Sequence, residues 1–164
     1  MTEIEKTIRA AFAETPIPSG KLTDTYDDEG VSDYFKGSHW DGHSAEKLRY
    51  HSCALSFFEP AAFRYYLPAF MIAEIQDPET ADIIAENIAY KFDTGHIRAE
   101  LLPEFEDKEI DAILAFMREC ANRYADGIYD ALFLKAAAMI EKDRSEQDAP
   151  HRRGSAAGAS APRR

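Results

Sequence analysis

Glu59-Pro60-Ala61-Ala62-Phe63-Arg64-Tyr65-Tyr66-Leu67-Pro68-Ala69-Phe70-Met71-Ile72-Ala73-Glu74-Ile75 is the most apolar and most aromatic run in the chain. Its spacing predicts a helix. Pro60 suits the first helical position, where no backbone donor is needed. Glu59 then sits at the cap, a weaker cap than Ser or Asp, but with a charge that favours a helix start. Phe63, Tyr66, Leu67, Phe70, Met71 and Ile75 recur at helical spacing, and Tyr65, Ala69, Ile72 and Ala73 cover most of the remaining surface. A helix apolar nearly all round has to be surrounded by other elements. Arg64 and Glu74 interrupt the run, and it is too short for a membrane span, which needs about 20 apolar residues.

Pro68 lies inside this helix. It removes one backbone donor and presses on the carbonyl of Arg64, at a cost of ~3 kcal/mol relative to Ala in a regular helix. A kink is expected there. Packing by Phe63, Tyr66, Leu67 and Phe70 has to offset it, each side chain contributing roughly 1.5–3 kcal/mol when fully buried.

A chain of 164 residues with 45% hydrophobic content can bury a core of its own. The formal net charge is -11, unevenly spread. From Arg144 onward there are five Arg and two acids, which leaves 14 basic against 28 acidic residues before it, a body charge of -14. Such a body repels nucleic acid and anionic lipid. It either attracts basic partners or simply keeps the protein soluble. Cys53 and Cys120 are widely spaced and set in apolar helical contexts, so they make no disulfide framework. They read as small buried side chains in a reducing compartment. Met1-Thr2-Glu3-Ile4-Glu5-Lys6 lacks a signal-peptide pattern, and a cytoplasmic location is the expectation.

Along the chain, Thr2 caps a short amphipathic helix through Ile4, Ile8, Ala11 and Phe12. Pro16, Pro18 and Gly20 force an extended connection. Asp27-Asp28-Glu29 opens a second helix with Val31, Tyr34 and Phe35 facing inward, and Gly37 stops it. Trp40 anchors the loop that follows. Ser44 caps a third helix through Leu48, Cys53 and Leu55. Asp77-Pro78-Glu79 is a clear new start, for a helix carrying Ile84, Ile88 and Phe92 that Asp93-Thr94-Gly95 ends. His96 to Phe105 reads as a loop around Pro103. Glu106 and Asp107 open a helix with Ile110, Ile113, Leu114, Met117 and Ala121 on one face. Asp126-Gly127 breaks the pattern, and Ile128, Leu132, Ala136, Met139 and Ile140 form the last amphipathic stretch. One unbroken helix from Asp107 to Asp143 would be ~55 Å long, which argues for the break. The prediction is therefore all-α: a compact bundle of five to seven helices around a Pro-kinked central helix, with residues 1–143 as a single domain. From 144 to 164 the composition turns to Ala, Ser, Gly, Pro and Arg, which reads as a disordered basic tail.

Candidate chemistry is sparse. His39, Asp41 and His43 share one loop, with His51 and Cys53 nearby, and these are transition-metal ligand types. Their spacing matches no strong metal signature, so surface polar residues around a buried Trp are the plainer reading. Glu74, Glu86, Asp111 and Glu119 lie on helices; an acid pair buried across two helices would suit general acid–base work, whereas spaced acids usually form a solvated face. His51 and Cys53 are two apart and point in different directions on a helix, a poor nucleophile–base pair. Arg64 sits among aromatics. It could stack on Tyr65, pair with a carboxylate such as Glu74 or Asp33, or line an anion pocket with Tyr65 and Tyr66. An arginine that ties helices together is the simpler reading. No nucleophile elbow, phosphate loop or dinucleotide motif is present.

The segment from Trp40 through Leu48, His51, Ala54-Leu55, Phe58, Pro60, Ala62-Phe63 and Tyr65-Tyr66-Leu67-Pro68-Ala69-Phe70 resembles a bacterial family of small, acidic domains of unknown function. The Tyr-Leu-Pro-Ala run is its most specific part, and Glu59 departs from it where a small capping residue is preferred. The resemblance implies a mostly helical bacterial protein and carries over no catalytic residue.

With no catalytic, cofactor or metal residues assigned, the expected function is a non-enzymatic protein-binding module, immunity- or inhibitor-like, whose acidic surface meets a basic protein partner rather than nucleic acid or membrane. The alternatives are a metal-dependent enzyme using His39, Asp41 and His43, or a housekeeping helical adaptor.

Overall fold

The computed structural model describes residues 1–26, 28–125, 127 and 129–153, with side chains as far as Gln147. Asp27, Asp126, Ile128 and the stretch 154–164, which have roles in the sequence reading, lie outside the described residues. In chain order the helices are Glu3–Phe12 (α1), Val31–Phe35 (α2), Ala45–Tyr50 (α3), Ala54–Phe57 (α4), Pro60–Gln76 (α5), Pro78–Ala81 (α6), Ile84–Asp93 (α7), Gly95–Leu101 (α8), Asp107–Arg123 (α9) and Asp130–Arg153 (α10), with a 3₁₀ turn at Leu102–Glu104. Among the described residues there is no strand, only an isolated antiparallel bridge between Thr23 and Phe58. The fold is all-α.

The local reasons match the residue chemistry. Thr2 accepts the amide of Glu5 and Ser44 that of Lys47, each at 3.3 Å. Asp77 accepts the amide of Thr80 at 3.2 Å and is followed by Pro78 at the first helical position. Glu106 and Glu109 form a reciprocal capping box at the start of α9. Helix α5 runs unbroken through Pro68, and 13 of its 17 residues are buried, which explains why its hydrophobicity has no preferred side. Helices α1, α3, α6, α7 and α8 pack against it. Helix α9 packs on α1 and α10, and α10 also packs on α7. Phe63, Leu67 and Phe70 are buried, together with Ile8, Phe12, Phe35, Trp40, Phe92, Phe116 and Phe133.

Among the described residues ten α-helices replace the five to seven expected, because three predicted stretches are divided or helical where a loop was read. After Tyr50 the chain tightens into i→i+3 turns, His51 to Ala54 and Ser52 to Leu55, so α3 and α4 are separate. Asp82 takes a left-handed φ of 52° and splits α6 from α7. Its carboxylate there accepts Arg49 at 2.8 Å. Gly95–Leu101 is helical because Pro103 falls in the first turn of the 3₁₀ segment, where proline is tolerated. At the other end, α10 continues past Asp143 to Arg153. Arg144 sits on that helix and reaches Asp111 at 2.6 Å and Asp107 at 3.2 Å.

Candidate functional site

The loop that carries His39, Asp41 and His43 is occupied with other work. His43 Nε2 lies 2.9 Å from the carbonyl of His39, which can only accept, so Nε2 carries the proton. Nδ1 of a neutral ring then accepts from the Tyr34 hydroxyl, also at 2.9 Å. Burial holds the His43 pKa down, in keeping with a neutral imidazole. Asp41 is tied to Arg9 at 2.7 Å, which keeps its carboxyl below the usual range. His51 stacks on Tyr34 with ring centres 4.3 Å apart. Among the described residues no three His, Cys, Asp or Glu side chains are grouped as a metal would need. Trp40 is buried as expected and forms part of the wall of a cleft of about 240 Å³ with Arg9, His43, Ser44, Ile72 and Gln76. A wider cleft of about 910 Å³ lies between the extended segment at Lys21–Tyr26 and α2. Its Thr23, Asp28 and Ser32 side chains satisfy one another.

Arg64 does not pair with Glu74 or Asp33. Its guanidinium meets Glu109 in a fork, 2.8 Å from Nε and 3.1 Å from Nη2, and reaches Glu106 at 3.1 Å. Tyr66 turns away and donates to the Phe35 carbonyl at 2.6 Å, so Arg64, Tyr65 and Tyr66 do not converge on an anion pocket. The arginine joins α5 to α9.

Among the four acids singled out, Asp111 is exposed, Glu119 and Glu86 are half-buried, and Glu74 is wholly buried. The Glu74 Oε1 accepts the Tyr124 hydroxyl at 2.7 Å. Arg123 stands 3.6 Å from the same oxygen and donates to the Glu74 backbone carbonyl at 2.8 Å. The Glu74 Oε2 and Glu86 Oε2 are buried with no hydrogen-bond partner among the described residues. Burial pushes the Glu74 pKa up to about 7, against the pull of Tyr124 and Arg123, and the charge of Glu86 adds to the rise. A carboxyl poised near neutrality suits proton transfer, but neither cleft above is lined by Glu74. Cys120, on the same part of α9, is buried, and its thiol is driven far up for that reason.

Sequence reasoning missed three residues that hold the structure. Glu109 was detectable as the fourth residue of a Glu-x-x-Glu helix start. Arg98 is buried and bridges the Phe92 carbonyl and Asp143, each at 2.7 Å. Tyr124 follows the last turn of α9 and offers no periodic signal.

The remaining feature is a face. Tyr50 is 78% exposed and Tyr90 55%, with Ile83, Leu134 and Tyr129 also open to solvent. The Arg49–Asp82 pair joins the end of α3 to the turn before α7. Ile83 caps α7, and Tyr90 lies two turns further along it. Lys135 bonds Asp93 at 2.9 Å and ties α10 to α7. Glu79, Asp82, Glu86 and Asp93 lie among these residues in the chain.

No helix among the described residues is long and apolar enough to cross a membrane. No curated protein and no solved structure matches the chain. A family model, described as a family of unknown function (DUF6714), matches residues 1–150. The chain belongs to that family of unknown function.

Proposed function

We propose that this protein is a non-enzymatic protein-binding module, cytoplasmic, whose acidic surface engages a basic protein partner, with an immunity- or inhibitor-like role as its most concrete form. The observation that carries the reading is the exposure of Tyr50, Ile83, Tyr90 and Leu134, on or next to α3, α7 and α10, with Glu79, Asp82, Glu86 and Asp93 close to them in the chain. Tyrosines supply large, rigid contact area at interfaces, and acids around them favour a positively charged partner. The formal net charge of -11 acts in the same direction at longer range.

The test compares the immobilised protein with a Tyr50→Ala/Tyr90→Ala/Leu134→Ala variant of matched melting temperature, in extract from its own cell at low salt. A basic protein retained by the native chain, lost from the variant and released as salt rises is the expected result. Equal retention by both, or retention of no basic protein, overturns the reading.

A further inference from the structure

The C-terminal end of α9 rests on an acid that its surroundings only half satisfy. Glu74 is wholly buried on α5, with one oxygen on the Tyr124 hydroxyl and the other without a donor among the described residues. The charges around it do not balance. Across from α7, Glu86 is a second acid with a buried, unpartnered oxygen, and Asp82 stands next to that acid. From α9 come Cys120, Tyr124, Arg123 and Glu119, and Arg123, the one cation there, is 3.8 Å from Glu119 as well as 3.6 Å from Glu74. On α1, Glu5 and Arg9 are turned toward Gln76 and Asp41 instead. On α3, Arg49 is taken by Asp82, on α6 Glu79 is exposed, and on α8 Arg98 is taken by Asp143. On α10 the contact is apolar: Phe133 stacks on the ring of Tyr124 at 6.0 Å.

We infer that Glu74 is a proton-operated latch: protonated, it lies dry beneath Tyr124 and, through Phe133, the start of α10, whereas losing its proton, although it strengthens the Tyr124 bond, leaves Oε2 charged without a donor and loosens that end of the molecule. A neutral carboxyl needs no second donor in the interior, whereas a carboxylate leaves one charged oxygen dry and faces Glu86 with a shared arginine as its only counter-charge among the described residues. Opening exposes the group to water, where it ionises in the ordinary carboxylate range. Opening therefore releases a proton and becomes more favourable as pH rises from that range to neutrality, then levels off.

The experiment follows the Glu74 carboxyl carbon by NMR in the full chain, and backbone hydrogen exchange over residues 120–134, corrected for the intrinsic effect of pH. The expected Glu74 midpoint is near neutrality. Protection of 120–134 should fall by about tenfold or more between about pH 5.5 and about pH 7.5, with little change in α1. Glu74→Gln removes that dependence and keeps the protected level throughout. Two further variants keep the test open if Glu74→Gln fails to fold. Tyr124→Phe deletes the donor that favours the carboxylate and should raise the midpoint, and Glu86→Gln deletes the neighbouring charge and should lower it. A midpoint in the ordinary carboxylate range, pH-independent protection, or midpoints unmoved by both variants overturns the latch.

Discussion

Arg64 on α5 and Glu109 on α9 are joined by two parallel hydrogen bonds, at 2.8 and 3.1 Å, and the carboxylate of this pair is completely buried. The same carboxylate closes the α9 capping box and accepts the Thr15 hydroxyl at 2.6 Å. One side chain therefore fixes the start of α9, the segment after α1, and α5.

Removing either partner should be costly and unequal. Arg64→Ala leaves a buried charge without its counter-ion and is expected to destabilise by about 3–5 kcal/mol. Glu109→Ala should cost more, because the helix cap and the Thr15 bond go with it. Urea unfolding of the two variants checks the order; an Arg64→Ala loss below about 1 kcal/mol would mark the pair as dispensable.

Pro68 and Leu67 are adjacent in the core of α5 and should respond in opposite ways. Leu67→Ala opens a cavity at a fully buried site and should cost about 2–5 kcal/mol. Pro68→Ala also removes buried carbon, but returns a backbone donor to the Arg64 carbonyl and relieves the ring's clash, a gain of about 3 kcal/mol in a regular helix. The proline variant should therefore be the more stable of the two by a clear margin. Comparable losses at both positions would show that the ring's packing outweighs the backbone defect.

The pKa of Glu74, raised to about 7 by burial, sets a direction for stability. A carboxyl whose folded value lies above its unfolded one contributes stability that is fully present below the unfolded value, near 4.5, and is lost as pH rises through 7. The native chain should thus lose stability relative to Glu74→Gln over that window, by at most about 3 kcal/mol, and by less where water reaches the carboxyl. Asp41, held low by Arg9, acts in the reverse sense under acid and is common to both proteins. Denaturant midpoints of the pair, measured across the window, check the difference; parallel curves would exclude it.

The two thiols should differ in reactivity. Cys120 is buried beside acidic groups that disfavour its thiolate, whereas Cys53 is only partly buried. A thiol reagent should label Cys53 slowly in the folded protein and Cys120 only on unfolding, as peptide mass spectrometry would show. Labelling of Cys120 without loss of structure would contradict its placement.

Much of the fold could be read from local chemistry. Thr2, Ser44 and Asp77 announce their helices through side-chain acceptors, and α9 shows its buried stripe through Ile110, Ile113 and Met117. The pieces that escaped have local patterns too short or too irregular to read. Pro78–Ala81 is a single turn, and its separation from α7 depends on Asp82, whose carboxylate is bound by an arginine 33 residues away. Arg64 had several acids within plausible reach, and only the packing of α9 on α1 selects Glu109. For Glu74 the signal was present but undrawn: an acid on a helix apolar on every side has nowhere to go but inward. The exposed tyrosines of α3 and α7 carry no periodic mark that separates them from core aromatics.

Asp143 and Arg144 are consecutive, yet they reach in different directions, Asp143 to the buried Arg98 and Arg144 to Asp111 on α9. Composition alone would invite trimming the chain between them to obtain crystals. Such a cut would leave Asp143 at a fraying terminus and strip Asp111 of its cation. A shortened protein that keeps the chain through residue 147 preserves both clasps, and its gain in melting temperature over one ending at 143 would measure what that short piece contributes.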